Sequence, residues 1–470
     1  MSVRKLVLPV LATGVTAAVV ATGFAFAHSE KPSVQGNDTA SHEGHHSTEA
    51  NAGSTGFETT SKSSPVYFAA GLAGRNEVPV AGGPAVNDPD GRATAVVRIK
   101  GDQVSYAVRW QNISAPKAFH IHQGAAGANG GIKVDFLGSD IPAGVQAVTG
   151  SVKVADQALL DSIKANPAGF YLNLHTAEFA GGAVRGQLHP LQRAVDLNGV
   201  LHGSATANLQ SVADGKQEVP GPKPSGDRDG RAQWLLRASG DQLSYTAVWN
   251  GISAPTNGHI HNGVKGVNGT IAADLFADSD GLPQSVTGIA GTATIGTELV
   301  GQFRKNPGAF YSNLHTAEFS GGAVRGQLAN NKSGQPRSVH AAVVGGSQIY
   351  NCVKQPDGGF AFGQFGVAAV LREGILHSFA KPVAGPPQWI APDGTAVTGK
   401  LVTKSANGAG NIPELLLEAT QIGGRSGILA DTTQILRLNT VGGVAPTGAC
   451  DPESQSIATV PYQADYLFLG

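Results

Sequence analysis

Six histidines recur in one spacing at two places in the chain, and their side chains could bind metal ions. The first set is His120, His122 and His175, and the second is His259, His261 and His315. Two histidines separated by one residue on a β-strand point to the same face of the sheet, with Cα atoms about 7 Å apart. A third histidine from a neighbouring strand could complete a three-nitrogen site for copper or zinc, since imidazole suits both metals.

Three interpretations of these histidines are open. They could form a structural network, with Nδ1–H bonded to backbone or to Glu178, they could coordinate copper or zinc, or they could carry out redox catalysis. Glu178 and Glu318 could orient a ligand histidine from a second layer. Arg185 and Arg325 could fix a loop by pairing with such carboxylates. We assign no catalytic residue, because no hydrolase motif or nucleophile elbow stands out.

The histidines belong to an internal repeat with an offset of roughly 140 residues. Glu77-Val78-Pro79 corresponds to Glu218-Val219-Pro220, and Trp110 corresponds to Trp249. Each copy is long enough to be a full domain, so we expect domains at 66–190 and 201–330. We expect the two copies to be separate β-sandwiches with at most one short helix each.

Alternating apolar and polar residues predict short strands throughout the repeat. In the first copy they cover 93–99, 104–110, 118–122, 132–136, 148–154, 170–175 and 183–188. A short helix is predicted from Asp156, a suitable N-cap, to Ala165. Glycine-rich turns between so many strands indicate an all-β Greek-key sandwich or barrel.

The two copies diverge unevenly, which singles out the histidines. Residues 170–188 and 310–328 differ only at Leu172/Ser312 and Ala180/Ser320. The stretch from 123 to 138 is looser and keeps mainly Gly124, Gly127, Asn129-Gly130, Ile132 and Asp135. Turn geometry explains the glycines. Histidines at identical positions need another reason.

Each copy resembles a CHRD domain, a module named after chordin and also found in secreted bacterial proteins. The resemblance rests on Gly74-x-x-Glu77-Val78-Pro79, Tyr106, His120-x-His122-x-Gly124-x-x-Gly127-x-Asn129-Gly130, Tyr171-x-Asn173-x-His175-Thr176 and Gly182-x-x-Arg185-Gly186-Gln187-Leu188. The second copy repeats these motifs, apart from small changes, from Glu218 to Leu328. The resemblance implies a fold and an extracellular context more than a mechanism.

Phe119-His120-Ile121-His122 is also similar to the copper-ligand strand of Cu/Zn superoxide dismutases. In that Greek-key family a later histidine completes the copper site and a later arginine lines the substrate channel, an order that His175 and Arg185 follow. The copies lack a bridging histidine, a zinc-ligand loop and the family's disulfide cysteines. A three-histidine copper site would survive these losses, whereas the full dismutase machinery would not.

The C-terminal third, 338–470, contains no copy of the repeat and carries the only cysteines, Cys352 and Cys450. In a secreted protein such a pair predicts a disulfide. Short β runs at 366–371 and 433–439 predict a third β-rich domain. His377, Trp389, Asp393 and Arg437 could line a pocket, or Trp389 could be a core residue and Arg437 a paired strand residue.

This segment resembles the secreted family called domain of unknown function 3455. The resemblance rests on Ile349-Tyr350-x-Cys352, Trp389 with Asp393-Gly394, Ile412-Pro413-x-Leu415-Leu416-Leu417, Ile435-x-Arg437-x-Asn439-Thr440-x-Gly442-Gly443-x-Ala445-Pro446, Cys450 and Val460-Pro461-Tyr462-x-Ala464-Asp465-Tyr466-x-Phe468. Some members have carried a malate dehydrogenase label, but no Gly-x-Gly-x-x-Gly motif opens a strand–helix unit here.

The N-terminus has the pattern of a secretory signal peptide over 1–27. Arg4 and Lys5 precede an apolar stretch, and Ala25-Phe26-Ala27 fits a cleavage site. A Ser/Thr-rich segment, 28–64, with four histidines follows and is typical of a disordered linker. We expect a secreted protein with no transmembrane segment after cleavage.

The charge is nearly balanced, with 33 basic and 34 acidic residues, which gives no reason to expect nucleic acid as a partner. The sequence favours an extracellular or cell-envelope binding module with copper or zinc as its only cofactor. A copper-dependent, superoxide-dismutase-like oxidoreductase is the alternative.

Overall fold

The structure is a computed structural model that describes residues 64–204, 206–332, 337–383 and 385–470. The predicted signal peptide, 1–27, and the predicted linker, except for its last residue, lie outside the described residues. Within the described residues, no helix has the length and apolar character needed to cross a membrane.

The first copy consists of nine strands and one α-helix. In chain order these are β1 Val66–Ala73, β2 Arg92–Lys100, β3 Gln103–Gln111, β4 Pro116–Gln123, β5 Ile132–Asp135, β6 Val145–Lys153, α1 Gln157–Ala165, β7 Phe170–Thr176, β8 Val184–Gln187 and β9 His189–Pro190. Single 3₁₀ turns lie at Gly74–Asn76 and Pro167–Gly169.

A short helix connects the first copy to the second, which has the same order of elements. The elements are α2 Leu197–His202, β10 Leu209–Asp214, β11 Arg231–Ser239, β12 Gln242–Asn250, β13 Pro255–Asn262, β14 Ile271–Ala277, β15 Val286–Thr294, α3 Thr297–Lys305, β16 Phe310–Thr316, β17 Val324–Gln327 and β18 Ala329–Asn330. Its 3₁₀ turns are Gly215–Gln217 and Pro307–Ala309.

Strand pairing in each copy follows a Greek key. In the first copy β3 pairs with β6, and β4 pairs with both β5 and β7, so the strand order is β5-β4-β7-β8-β1-β2-β3-β6. The second copy repeats this order. The predicted all-β fold is confirmed.

Apolar side chains from the inner faces of the strands form the core. Phe119 packs against Phe136 and Tyr106, with ring centroids 5.1 and 6.0 Å apart. Ile121 and Leu174 are fully buried in the same cluster. Because side chains alternate along a strand, the histidines beside Phe119 and Ile121 point to the opposite face.

The two copies are not separate sandwiches, and that expectation is wrong. β6 of the first copy pairs with β15 of the second, for example at Val148 and Ile289, so one sheet runs through both copies. The Tyr106 hydroxyl of the first copy also lies 3.2 Å from Ser285 Oγ of the second. The physical reason is that β6 and β15 are edge strands, and pairing them satisfies backbone groups that an isolated sandwich leaves open.

The local elements follow the sequence prediction closely. Helix α1 begins after Asp156, whose side chain accepts a hydrogen bond of 2.9 Å from the backbone of Leu159. Each copy holds one α-helix of its own, as predicted. The strands predicted at 93–99 and 104–110 correspond to β2 and β3, which pair with each other.

The C-terminal domain is a closed barrel of eight antiparallel strands. They are β19 Ser338–Lys354, β20 Phe360–Leu371, β21 Leu376–Phe379, β22 Pro387–Ile390, β23 Ala396–Ser405, β24 Glu414–Gln421, β25 Gln434–Gly442 and β26 Ile457–Leu469, with a 3₁₀ turn at Arg372–Gly374. Neighbouring strands pair in sequence order, and β26 closes the barrel on β19. The predicted disulfide joins Cys352 to Cys450.

The four candidate pocket residues of this domain have structural roles. Trp389 is 1% exposed and stacks on His377 at 4.5 Å. The Arg437 guanidinium donates to the Pro413 carbonyl, and Asp393 accepts from Thr395 and from the backbone of Ile428. The core interpretation therefore describes these residues better than the pocket interpretation.

The barrel packs on the outer face of β1, β2 and β3. Ala69, Val96 and Ala107 form one cross-strand row on that face and are fully buried. They pack against leucines of the barrel, namely Leu416, Leu436, Leu438, Leu467 and Leu469. The barrel and the first copy therefore share a continuous apolar interface.

Candidate metal centre

The pairing of β4 with β7 brings the first three histidines together. His120 lies opposite Asn173, His122 opposite Tyr171, and Ala118 opposite His175. Residues that are directly opposite share a face of the sheet, so all three rings project from the outer face. The pairing of β4 with β5 is irregular between Ile121 and His122, where the register shifts. Such an irregularity changes the direction in which the following side chain points.

The three rings converge as the spacing predicts. The centroid of the His120 ring lies 5.4 Å from that of His122 and 5.1 Å from that of His175. One nitrogen of each ring lies within 4.8 Å of the others. An ion bound at about 2.0–2.1 Å needs nitrogens about 3.4 Å apart, so small side-chain rotations would close the site.

Each ring has one nitrogen held by an oxygen atom. His122 Nδ1 lies 3.0 Å from the Gly130 carbonyl, and His175 Nδ1 lies 3.0 Å from the Ala180 carbonyl. His120 Nε2 lies 3.5 Å from a carboxylate oxygen of Asp135. The two carbonyl oxygens only accept hydrogen bonds, so Nδ1 of His122 and Nδ1 of His175 carry the proton and their Nε2 atoms present lone pairs. The Asp135 carboxylate near His120 Nε2 favours the proton on that nitrogen and the lone pair on Nδ1.

The other nitrogen of each ring is buried and has no hydrogen-bond partner. These atoms are Nδ1 of His120, Nε2 of His122 and Nε2 of His175. A buried lone pair without a partner is costly, and three of them in one cluster are the arrangement that a metal ion would satisfy.

The second copy reproduces the same geometry atom for atom. His261 Nδ1 lies 3.2 Å from the Gly269 carbonyl, and His315 Nδ1 lies 3.2 Å from the Ser320 carbonyl. His259 Nε2 lies 3.3 Å from a carboxylate oxygen of Asp274. The unpartnered atoms are again Nδ1 of the first histidine and Nε2 of the other two. Among the described residues, these two clusters are the only groups of three or more histidine, cysteine or carboxylate side chains close enough to share an ion.

Burial keeps these histidines neutral. It lowers the pKa of His120 to about 4, helped by the neighbouring histidines, and lowers the pKa of His315 to about 4 in the same way. Burial also lowers the pKa of His122 and of His175. The rings therefore present lone pairs rather than protons to an ion at neutral pH.

Arg185 holds the loop that orients His122. Its guanidinium is 1% exposed and donates to the carbonyls of Ala125 and Ala128 and to the side chain of Asn129. The next residue, Gly130, supplies the carbonyl to His122. Arg185 also lies 3.4 Å from the centre of the Tyr171 ring, on which His122 stacks at 4.9 Å. Arg325 makes the matching contacts in the second copy.

The role predicted for Glu178 and Glu318 is wrong. Both side chains are exposed, and neither is hydrogen-bonded to a histidine in the described structure. The turn after His175 is closed by a hydrogen bond from the Phe179 backbone to the Thr176 hydroxyl, which directs the Ala180 carbonyl to the ring instead. The arginines likewise bind backbone carbonyls rather than these carboxylates.

Two residues that orient the site, Asp135 and Asp274, were missed as site residues. They contact the first histidine of each cluster. The signal was present, because Asp135 is one of the few residues that the divergent stretch from 123 to 138 shares with the second copy.

A buried carboxyl group lies beside each cluster. Asn173, directly opposite His120, donates a 3.3 Å hydrogen bond to Glu77. Burial raises the pKa of Glu77 to about 8, against the opposing effects of Arg185 and Asn173. Glu218 stands in the same place, and burial raises its pKa to about 7.

Comparison with known proteins identifies the modules. The family model described as the CHRD domain matches residues 68–188 and 209–328, together more than half of the chain. The chain belongs to the CHRD domain family. After its two CHRD domains, residues 368–470 match the family described as a protein of unknown function, DUF3455. No curated protein and no solved structure matches the chain.

The protein is thus a multidomain β protein in which two CHRD domains carry the histidine clusters. In each CHRD domain the matched segment contains all three histidines, the aspartate and the arginine described above.

Proposed function

We propose that each CHRD domain is a metal-binding module that holds one copper or zinc ion through three histidines. The observation that carries the proposal is the set of buried ring nitrogens without a partner, which recurs with the same atoms in both domains. A purely structural histidine network would use these nitrogens in hydrogen bonds. Copper and zinc are the metals that imidazole ligands suit best.

We further propose that the protein acts outside the cytoplasm as a binding module of the extracellular space or cell envelope. The disulfide of the C-terminal barrel supports this setting, because disulfides persist in oxidising compartments. The signal-peptide pattern of the sequence points the same way.

The binding role is preferred to the alternative, a superoxide-dismutase-like oxidoreductase. Arg185 follows the last histidine in chain order, as the channel arginine does in that family. However, Arg185 is buried, and its guanidinium donates hydrogen bonds to backbone carbonyls of a loop. No second metal cluster lies beside the histidines in the described part of the chain. Superoxide turnover by copper-loaded protein would restore the alternative.

The test is metal content by mass spectrometry after loading untagged, chelator-stripped protein with zinc or copper and removing excess metal. We expect two ions per chain. His122→Ala and His261→Ala should each leave one ion, and the double variant should leave none. Replacing His42, His45 and His46 with glutamine is the matched control and should leave two. Unchanged stoichiometry in the double variant would overturn the proposal.

A further inference from the structure

Two arginines from different CHRD domains line one small cavity where the domains join. Arg109 lies on β3 of the first domain and Arg237 on β11 of the second, and His202 ends the helix that connects them. Ala290 and Gly291 of β15 form another wall. The cavity volume of about 40 Å³ is room for about three waters or one small oxyanion.

The cavity has an excess of positive charge. No aspartate or glutamate lines it. Arg109 donates one hydrogen bond, to the Leu201 carbonyl at 2.9 Å, and the carboxylate that acts on it, Glu373, lines a neighbouring cavity. Arg237 is exposed and makes no hydrogen bond or ion pair within the described residues. Two arginines therefore line a cavity that has no carboxylate among its lining residues.

A third basic group adds an unsatisfied polar atom. His202 Nδ1 is buried and has no hydrogen-bond partner. Burial, with a contribution from the charge of Arg109, lowers the pKa of His202 to about 4. The Thr246 hydroxyl also faces the cavity. These groups can all donate hydrogen bonds, His202 through its Nδ1–H tautomer.

We propose that this cavity binds a phosphate group, whose oxygens accept hydrogen bonds from Arg109, Arg237, Thr246 and His202. A dianion would accept charge-assisted hydrogen bonds from the two guanidiniums and give the buried His202 nitrogen a partner. Arg109 and Arg237 come from two different domains, and a tetrahedral oxyanion presents acceptor oxygens to donors on more than one side. The site is independent of the histidine clusters and of any metal they hold.

The phosphate could be free or part of a phosphate monoester. Arg237 is exposed at the rim, whereas Arg109 and His202 lie deeper. An ester would have to extend past Arg237. Comparing inorganic phosphate with glycerol 3-phosphate distinguishes the two sources, because a site for the free anion would reject the ester and a site for the ester would bind it at least as tightly.

The experiment is calorimetric titration of the metal-free full chain with each compound in a buffer without oxyanions and at fixed salt. Arg237→Gln should weaken binding at least about tenfold. Arg237→Lys should weaken it less, because lysine keeps the positive charge but lacks the paired N–H donors of a guanidinium. Arg231→Gln is the control, because Arg231 is exposed on the same strand and bonds only to the carbonyls of Arg228 and Gly230. It should bind as the wild type does.

Three outcomes would overturn the proposal. They are the absence of binding by either compound at millimolar concentration, equal binding by Arg237→Gln and wild type, and equal weakening in Arg237→Gln and Arg231→Gln. The last result would mean that only the overall charge matters. Because Arg237 is an exposed strand residue, its replacement leaves the fold intact, which circular dichroism would check.

Discussion

At the scale of single residues, the clusters differ from ordinary histidine networks in how their nitrogens are used. His122 and His175 each bond one ring nitrogen to a backbone carbonyl, and His120 has one ring nitrogen 3.5 Å from a carboxylate oxygen. The other nitrogen of each ring is buried without a partner. Leaving such an atom unpaired costs folding free energy, so an arrangement repeated in both domains favours a ligand-binding role over chance.

The lowered histidine pKa values predict acid-tolerant metal binding. A three-histidine site with the ordinary pKa of 6.5 would lose about a thousandfold in affinity between pH 7 and pH 5.5, because protons compete for each ring. Burial lowers the pKa of His120 and of His315 to about 4. With that ring of each site removed from the proton competition, we expect a loss below about a hundredfold, measured by competition with a chelator. A thousandfold loss would contradict the neutral rings.

The raised pKa of Glu77 and of Glu218 predicts how stability depends on pH. Both carboxyls hold a proton in the folded state at pH values where the unfolded chain has lost it, between about pH 4.5 and the folded pKa of about 7–8. The free energy of unfolding should fall as pH rises through this window, by on the order of 1 kcal/mol or more.

Glu77→Gln together with Glu218→Gln should flatten that decline in metal-free protein, as measured by urea unfolding at pH 5 and pH 8. Glu178→Gln together with Glu318→Gln removes the same charge from exposed positions and should leave the decline unchanged. Equal behaviour of the two double variants would show that Glu77 and Glu218 ionise normally.

The histidines could be predicted from sequence because two rules apply to them directly. Period-two alternation places His120 and His122 on one face, and the near-identity of the later strands singles out His175. The contacts from Gly130 and Ala180 could not be predicted, because they depend on where two turns place a backbone carbonyl. The same turn carries Glu178 away from the ring.

At the scale of elements, a loop and a strand irregularity hold the ligand rings. The loop after β4 returns so closely that a Cβ on Gly130 would lie 1.6 Å from the Gln123 carbonyl, so only glycine fits there. Arg185 then ties this loop to β8. The loop that orients His122 is therefore held in place by β8, a strand that carries none of the three histidines.

This geometry predicts that Arg185→Lys weakens metal binding at the first site. Lysine retains the charge but cannot reach the two carbonyls and Asn129 together. Loss of an orienting partner typically costs about 10–100-fold in metal affinity. Zinc titration of the His261→Ala background isolates the first site.

Arg325→Lys in the His122→Ala background should give the mirror result. Arg92→Lys is a control in either background. Arg92 lies across β1 from Arg185 and donates only to the carbonyls of Gly91 and Pro89. Unchanged zinc affinity in both Arg185→Lys and Arg325→Lys would show that the loops held by these arginines do not orient the metal ligands.

Strand and helix positions were predictable because local signals determine them. The alternation around 93–110 and the Asp156 cap both correspond to observed elements. The pairing of β6 with β15 was not predicted. Alternation identifies a strand's faces but not its edge partner, which depends on where the second copy is placed by its connecting helix.

At the scale of the whole molecule, the two CHRD domains differ in what covers their outer faces. The row Ala69–Val96–Ala107 lies under the barrel, whereas the matching row of the second domain is Gln210–Leu235–Thr246. Gly71 allows close approach, since its Cβ would lie 3.3 Å from Leu438, and its counterpart Val212 is 64% exposed. This difference between the copies was a readable signal of a covered face in the first domain.

Removing the disulfide should destabilise the C-terminal barrel without affecting metal binding. Cys352 and Cys450 are 98 residues apart, and closing such a loop contributes about 4–5 kcal/mol in the chain-entropy model. Cys352→Ser together with Cys450→Ser should lower the free energy of unfolding of the barrel by about this amount, measured by denaturant unfolding. The double variant should still bind two zinc ions. Loss of zinc along with the disulfide would show that the barrel supports the clusters.

The most direct test of the metal sites is anomalous diffraction from crystals of the zinc-loaded protein. We expect one peak in each CHRD domain, about 2.0–2.1 Å from Nδ1 of the first histidine and Nε2 of the other two. In the first domain these atoms belong to His120, His122 and His175, and in the second to His259, His261 and His315. A peak bound through the opposite nitrogens, or clusters that stay empty while zinc lies elsewhere, would contradict this expectation.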